Sequence, residues 1–334
     1  MELETKRVVA VIGGGSWATA IAKILHDNRN EVHWFIRNEE TRMHLKQYGN
    51  NPSYLSDVQF NLEQMHIEED INAAIARAEV VFVVVPSAYL PAWLEGVKSD
   101  SFKGRLVITA VKGIIPELHM TATEYIHHKF AVPYSHLGVI SGPCHAEEIA
   151  LKRLSYLTFS CKEIRDAERV ASLFRSSYVH TIPSTDIYGT EYSAIIKNIY
   201  AVAAGMAHGI GYGDNFLAVL ACNAQEELMR FLNVSYPAPR NANASAYLGD
   251  LLVTCYSQFS RNRTFGAMIG KGYTVLSAQT EMRMVAEGYY ATNGIHALNA
   301  RLQIKMPIAD AMYSVLYGNT RPAIALGALA DNFN

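Results

Sequence analysis

Gly13-Gly14-Gly15-Ser16-Trp17-Ala18 follows a β-branched run, Arg7–Ile12, and opens a helical pattern, Ser16–Asn28. This is G-x-G-x-x-[G/A], with Gly13, Gly15 and Ala18 at the three small positions. The first allows a tight turn, the second lets a pyrophosphate approach the backbone, and the third lets helix and strand pack closely. The exposed N–H groups and dipole of a helix start favour an anion there. The pattern alone is weak. Its strand–turn–helix setting makes it a dinucleotide signal.

The next strand pattern, Glu31–Ile36, ends Trp34-Phe35-Ile36-Arg37-Asn38, with no acid until Glu39. An acid at this point would bind a ribose 2′-hydroxyl, whereas Arg37 suits a 2′-phosphate. NADP is therefore slightly favoured over NAD, and both stay open. A polar helix follows from Asn38. Further strand patterns lie at Glu79–Val85 (EVVFVVV), Arg105–Ala110, Leu137–Ser141, Leu154–Ser160 and Val179–Ile182. A nearly continuous apolar run such as 79–85 fits a central parallel strand buried on both faces. Strands alternating with helices predict a doubly wound, mostly parallel sheet of Rossmann type.

Near Pro183–Asp186 the pattern changes. Helical periodicities dominate from there, at Ile187–His208, Phe216–Leu232, Ala244–Ser257 and Leu276–Met282, with more after Thr292. The expectation is a dinucleotide-binding α/β domain over residues 1–185 and an all-α substrate-binding domain over 186–334. A cleft between the two is the expected site.

Composition narrows the function. Half of the 334 residues are hydrophobic and 18% are charged, enough for ordinary cores and far from a disordered chain. The net charge of −2 carries no basic stripe, so nucleic acid is not an expected partner. No apolar run approaches a membrane span. Met1–Lys6 is charged and lacks an apolar signal segment. Cys144, Cys161, Cys222 and Cys255 have neither metal-ligand spacing nor the look of a disulfide framework. No metal is expected, and the compartment reads as a reducing cytoplasm.

Two constellations carry chemistry. In Thr190–Met206 (TEYSAIIKNIYAVAAGM), Ile195, Ile199, Val202 and Met206 form an apolar stripe. Thr190, Ala194, Ala201 and Ala204 share the face of Lys197, with Tyr200 the one bulky neighbour. A helix apolar nearly all round is buried, and a lysine on it needs a partner or a task. Desolvation and a second cation would lower its pKa towards neutrality. Further on, Ser260-Arg261-Asn262-Arg263 offers a hydroxyl, an amide and two guanidiniums. Arginine binds phosphate through paired hydrogen bonds, and a helix start just after the tetrad would add backbone donors.

These stretches resemble the NAD(P)-dependent glycerol-3-phosphate dehydrogenase family in its bacterial form. The likeness runs through GGGSWATAIA (13–22), VKG (111–113), SGPCHAEE (141–148), EYSAIIKN (191–198), LGDLLVTCYSQFSRNRTFG (248–266) and VAEG (285–288). The resemblance implies reduction of dihydroxyacetone phosphate to sn-glycerol 3-phosphate, for phospholipid synthesis, by a homodimer. It implies that Lys197 exchanges a proton with the C2 oxygen, that Asp250 orients it, and that Lys112 is a second cation near cofactor and substrate. Asn198 would help hold charge and geometry. Gly142 and Cys144 would contact the substrate, as would Ser260, Arg261 and Asn262, chiefly at its phosphate. Ser16, Trp17, Arg37, Ala146, Arg261, Val285 and Glu287 would approach the cofactor with Gly13, Gly15 and Lys112.

Two departures stand out. Cys144 replaces a Ser or Thr and is a weaker donor. Ala246-Tyr247-Leu248-Gly249 lacks a second glycine common in the family. From the residues alone, two other readings stay open. A hydroxy-acid or sugar-acid dehydrogenase of the same build would not account for the Ser260–Asn262 stretch. A non-catalytic nicotinamide sensor would not need the helix lysine.

Overall fold

The computed structural model describes residues 7–282 and 285–333. Met1–Lys6, and with it the charged N-terminal stretch, lies outside the described residues.

Eight strands form one sheet: β1 (Val8–Ile12), β2 (Glu31–Phe35), β3 (Met65–Glu68), β4 (Val80–Val83), β5 (Leu106–Thr109), β6 (Leu137–Ser141), β7 (Ser155–Cys161) and β8 (Val179–Ser184). Their order is β3-β2-β1-β4-β5-β6-β7-β8. Every pairing is parallel except β6 with β7. The apolar run at 79–85 becomes β4, wholly buried between β1 and β5, as a two-faced parallel strand must be. The strand order reverses at β1, which pairs with β2 on one side and β4 on the other. Such a switch point opens a crevice at the carboxyl ends of the strands. The glycine turn occupies that end of β1.

β3 is the strand that the periodicity misses. Met-His-Ile-Glu is half polar and lies at the sheet edge, where one side needs no apolar partner. The Ser16–Asp27 helix presents Ala18, Ile21 and Leu25 to this sheet, and Val9, Trp34 and Phe82 close the same core.

The chain divides into two compact units. Among the described residues, one comprises those up to 85, 89–111 and 122–187 and holds the sheet; the other comprises 86–88, 112–121 and those from 188 onward. Two short loops of the first half thus belong to the helical unit.

The helical unit is built around Ile187–Gly209, buried continuously from Gly189 to Ala207. Ile195, Ile199, Val202 and Met206 pack with Phe231, Phe265 and Ile295. The helix Arg261–Gly270 lies against it at backbone contact. A Cβ on Gly205 would collide with the carbonyl of Arg263, and one on Gly266 with that of Val202. This approach sets the start of the second helix beside the lysine helix.

The remaining helices include Asp214–Ser235, Val275–Met282, Glu287–Leu302, Pro307–Leu316 and Pro322–Ala330. The expected single helix at Ala244–Ser257 is instead a widened π-type turn, Ser245–Gly249, followed by an α-helix, Asp250–Tyr256. Among the described residues no helix is long and apolar enough to cross a membrane.

Candidate active site

In the sheet unit the turn after β1 is locked from behind. Gly13 has φ +143°, and a Cβ there would strike the carbonyl of Val84. The turn's carbonyls are held by protein donors. Trp34 Nε1 donates to Gly13 O at 2.7 Å, Asn51 Nδ2 to Gly14 O at 3.1 Å, and Thr19 Oγ1 to Gly15 O at 3.0 Å. The carbonyls are so engaged, and the first turn of the Ser16–Asp27 helix holds no acid to offset the positive end of its dipole. Nothing lies within 4 Å of a Cβ built on Gly15. An open backbone at a positive helix start fits a dinucleotide pyrophosphate. Arg37 is exposed just beyond β2.

In the helical unit, Lys197 is 4% exposed and Asp250 1%. Their ammonium and carboxylate form a direct ion pair. Lys112 Nζ lies 3.9 Å from the other oxygen of Asp250. Burial pushes Lys197 down to about 8; Lys112 adds to the shift and Asp250 opposes it. The result is an ammonium acidic enough to release its proton near neutral pH. The π-type turn ends immediately before Asp250, where widened turns often mark functional positions.

Asn198, the next residue on the helix, is occupied by protein. Its Nδ2 donates to Lys112 O at 2.8 Å and to Ala194 O at 3.1 Å. Asn262 Nδ2 donates to Asn198 Oδ1 at 2.9 Å, and Gly288 N donates to Asn262 Oδ1 at 2.9 Å. A relay of amides thus ties the Lys112 backbone to the start of the Glu287–Leu302 helix. Both protons of the Asn198 amide are used in it. Ser260 is the N-cap of Arg261–Gly270, its hydroxyl accepting from Arg263 N at 3.3 Å. Of the tetrad, Ser260 and Asn262 are buried and Arg261 is partly exposed. The helix begins inside the tetrad, at Arg261, rather than after it.

Two family models match the chain: the NAD-dependent glycerol-3-phosphate dehydrogenase N-terminus over residues 8–167, and its C-terminus over residues 186–327. The chain belongs to the NAD-dependent glycerol-3-phosphate dehydrogenase family. It is 32% identical over 328 residues to a glycerol-3-phosphate dehydrogenase [NAD(P)+] of Limosilactobacillus reuteri, covering 97% of this chain and 96% of that one. It is 34% identical over 316 residues to the one of Exiguobacterium, covering 94% and 92%. The crystal structure of glycerol-3-phosphate dehydrogenase from Coxiella burnetii superposes with a TM-score of 0.88 at 26% identity, over 97% of this chain and 99% of that one.

The family positions fall into both units. Gly142, with φ +120°, leaves β6 where a Cβ would come within 2.6 Å of the Tyr156 carbonyl. Cys144 and Ala146 are buried in the core of the sheet unit. No disulfide joins the four cysteines. In the helical unit, Glu287 accepts from Ser87 N at 2.8 Å and from Ser87 Oγ at 2.5 Å. Burial raises the Glu287 pKa, against these bonds and the charge of Arg261. A Cβ on Gly113 would run into the Glu287 carboxylate and the Ser87 hydroxyl, so a side chain there would displace that hydrogen-bonded pair. Val285 is partly exposed.

The bonds that Ser87, Trp34 and Asn51 make here have no signal in the sequence. Asn51, wholly buried, also donates to Thr19 Oγ1 at 2.9 Å. No spacing rule links a lone asparagine to a turn 37 positions earlier.

Proposed function

We propose that this chain reduces dihydroxyacetone phosphate to sn-glycerol 3-phosphate, reversibly, with NADH or NADPH, and that Lys197 is its proton donor. The observation that carries the reading is the buried Lys197–Asp250 ion pair flanked by Lys112. It combines a lysine of lowered pKa with a second positive charge, as a forming C2 alkoxide requires.

In the reducing direction Lys197 gives its proton to the C2 oxygen and Asp250 keeps the ammonium aimed. Lys112 stabilises negative charge on the same oxygen. Asn198 is a positioning residue, holding the Lys112 backbone through Lys112 O. Arg261 and the start of its helix bind the phosphate, turning remote binding into orientation at C2. Ser260 and Asn262 shape that anion site from below, and Gly142 and Cys144 complete the substrate contacts, Cys144 through its backbone. Gly13, Gly15, Ser16 and Trp17 receive the pyrophosphate, and Arg37 a 2′-phosphate where one is present. Ala146, Val285, Glu287, Arg261 and Lys112 serve the rest of the cofactor. Bound nicotinamide supplies the hydride.

The same reading places the enzyme in the cytoplasm, as a homodimer feeding phospholipid synthesis. The test is absorbance of reduced nicotinamide with dihydroxyacetone phosphate, NADH and NADPH in separate cuvettes. Oxidation is expected with at least one. A folded protein that binds nucleotide yet oxidises neither would overturn the reading.

A further inference from the structure

The sheet carries a second constellation, unrelated to the lysine site. Glu31 and His33 alternate on β2 and so share one face. His66 on β3 is the register partner of His33, which brings it to the same face. The two imidazoles stack, centroids 4.7 Å apart and planes 19° from parallel. Glu31 Oε1 lies 3.4 Å from His33 Nε2 and 3.5 Å from His66 Nε2. The three donor atoms all fall within 4.8 Å of one another.

These distances decide between two explanations. A charge-assisted N–H···O bond would draw nitrogen and oxygen to about 2.7–2.9 Å. Ligands about 2.0–2.1 Å from a tetrahedral centre sit roughly 3.3–3.4 Å from each other. One carboxylate oxygen here faces two imidazole nitrogens at the second spacing. The other nitrogen of His33 is already committed: Nδ1 meets Glu68 Oε1 at 2.6 Å. A carboxylate on Nδ1 orients the ring and sets Nε2 as the lone-pair side, as the outer partner of a metal-bound histidine does. His33 is 2% exposed, so this orientation is fixed by packing. The His66 side chain is 41% exposed, which gives an ion a way in and the ring freedom to turn onto it.

We propose that Glu31, His33 and His66 form a binding site for a divalent transition cation of the zinc class, with Glu68 as the outer partner of His33. Two imidazoles and one carboxylate suit zinc, cobalt, nickel or copper and do not suit magnesium. Cysteine spacing gave no thiolate zinc site, and this one uses no thiol. Glu31 is level with Val8 in the register, whereas the glycine turn follows Ile12, level with Phe35. The site therefore runs from the start of β2 to its middle, where His33 and His66 are level with Ala10, and stops short of the end that carries the dinucleotide turn. Its effect is to clamp edge strand β3 to β2, and a cation bound only by the folded chain raises its stability.

The experiment uses the full chain, stripped with chelator, and titrates Zn²⁺ by calorimetry, Co²⁺ by visible absorption, and Mg²⁺ as control. One saturable Zn²⁺ per chain is expected, with cobalt bands of low symmetry, a raised Tm with zinc, and no response to magnesium. His66→Gln removes an exposed ligand without opening the core and should weaken zinc by at least roughly 10–100-fold, as should Glu68→Gln through His33. Dehydrogenase turnover of both variants should equal that of the parent. No saturable zinc binding, or zinc affinity and Tm shift unchanged in His66→Gln, would overturn the proposal and leave the two rings as a packing contact.

Discussion

The side chain of Asn198 holds the backbone carbonyl of Lys112 at 2.8 Å, across 86 positions of sequence. One amide thereby sets where the second cation of the site starts. Asn198→Ala strips Lys112 O and Asn262 Nδ2 of a partner inside a buried network. The expected cost is about 1–3 kcal/mol of stability for each group left unpaired, read from urea unfolding. Turnover should fall as well, with nucleotide affinity kept. Unchanged turnover would confine Asn198 to the fold.

Removing the proton donor gives the largest kinetic effect. Lys197→Ala should lower turnover by roughly 10²–10⁴-fold. Nucleotide binding, followed by fluorescence of the reduced cofactor, should stay near that of the parent. Parent-like turnover would exclude Lys197 as the acid.

The pH profile follows from the lowered pKa of Lys197. Reduction needs the ammonium, so its rate should fall as pH rises through about 8, and oxidation needs the amine, so its rate should rise there. Asp250 favours the charged lysine. Asp250→Asn should therefore move the break to lower pH as well as slow turnover. Stability carries the opposite signature. Between about 8 and the ordinary value of 10.5 the unfolded chain holds the lysine proton more tightly, so this group makes the fold more stable as pH rises through that window. A break that stayed in place in Asp250→Asn would separate the two residues.

Arginine substitutions test the two anion sites apart. Arg261→Ala should raise the KM for dihydroxyacetone phosphate and leave nicotinamide binding less affected. An unchanged KM would remove Arg261 from phosphate recognition. Arg37→Ala should raise the KM for NADPH and spare NADH, because only the former carries a 2′-phosphate. Equal effects on both would end that role.

What could be read in advance depended on how local the signal was. The β4 run and the Gly13–Ala18 turn are written within a few consecutive residues, and the structure has both. The buried lysine was legible from small neighbours at helical spacing. β3 was not, because His66 and Glu68 give an edge strand too little apolar character to stand out. Nor were the close approach at Gly205 and Gly266, the bond from Ser87 to Glu287 across 200 positions, or the service of Asn51 to the glycine turn. Each is a pairing made by tertiary structure between residues with no periodic relation. The π-type turn before Asp250 was hidden for a different reason: its composition suits an ordinary helix, and only the hydrogen-bond step differs.

The helical unit takes in residues 86–88 and 112–121 as well as everything from 188 onward. Ser87 and Lys112 are thus borrowed from the first half of the gene product. No single cut in the polypeptide yields a piece holding Lys112, Lys197 and Asp250 without also carrying β6, β7 and β8 of the sheet. A ribosome making this chain releases Lys112 long before Asp250 exists to face it, so its charge waits in water until the last third is made. Dividing the protein into separately expressed halves would strand one cation of the site on the wrong fragment.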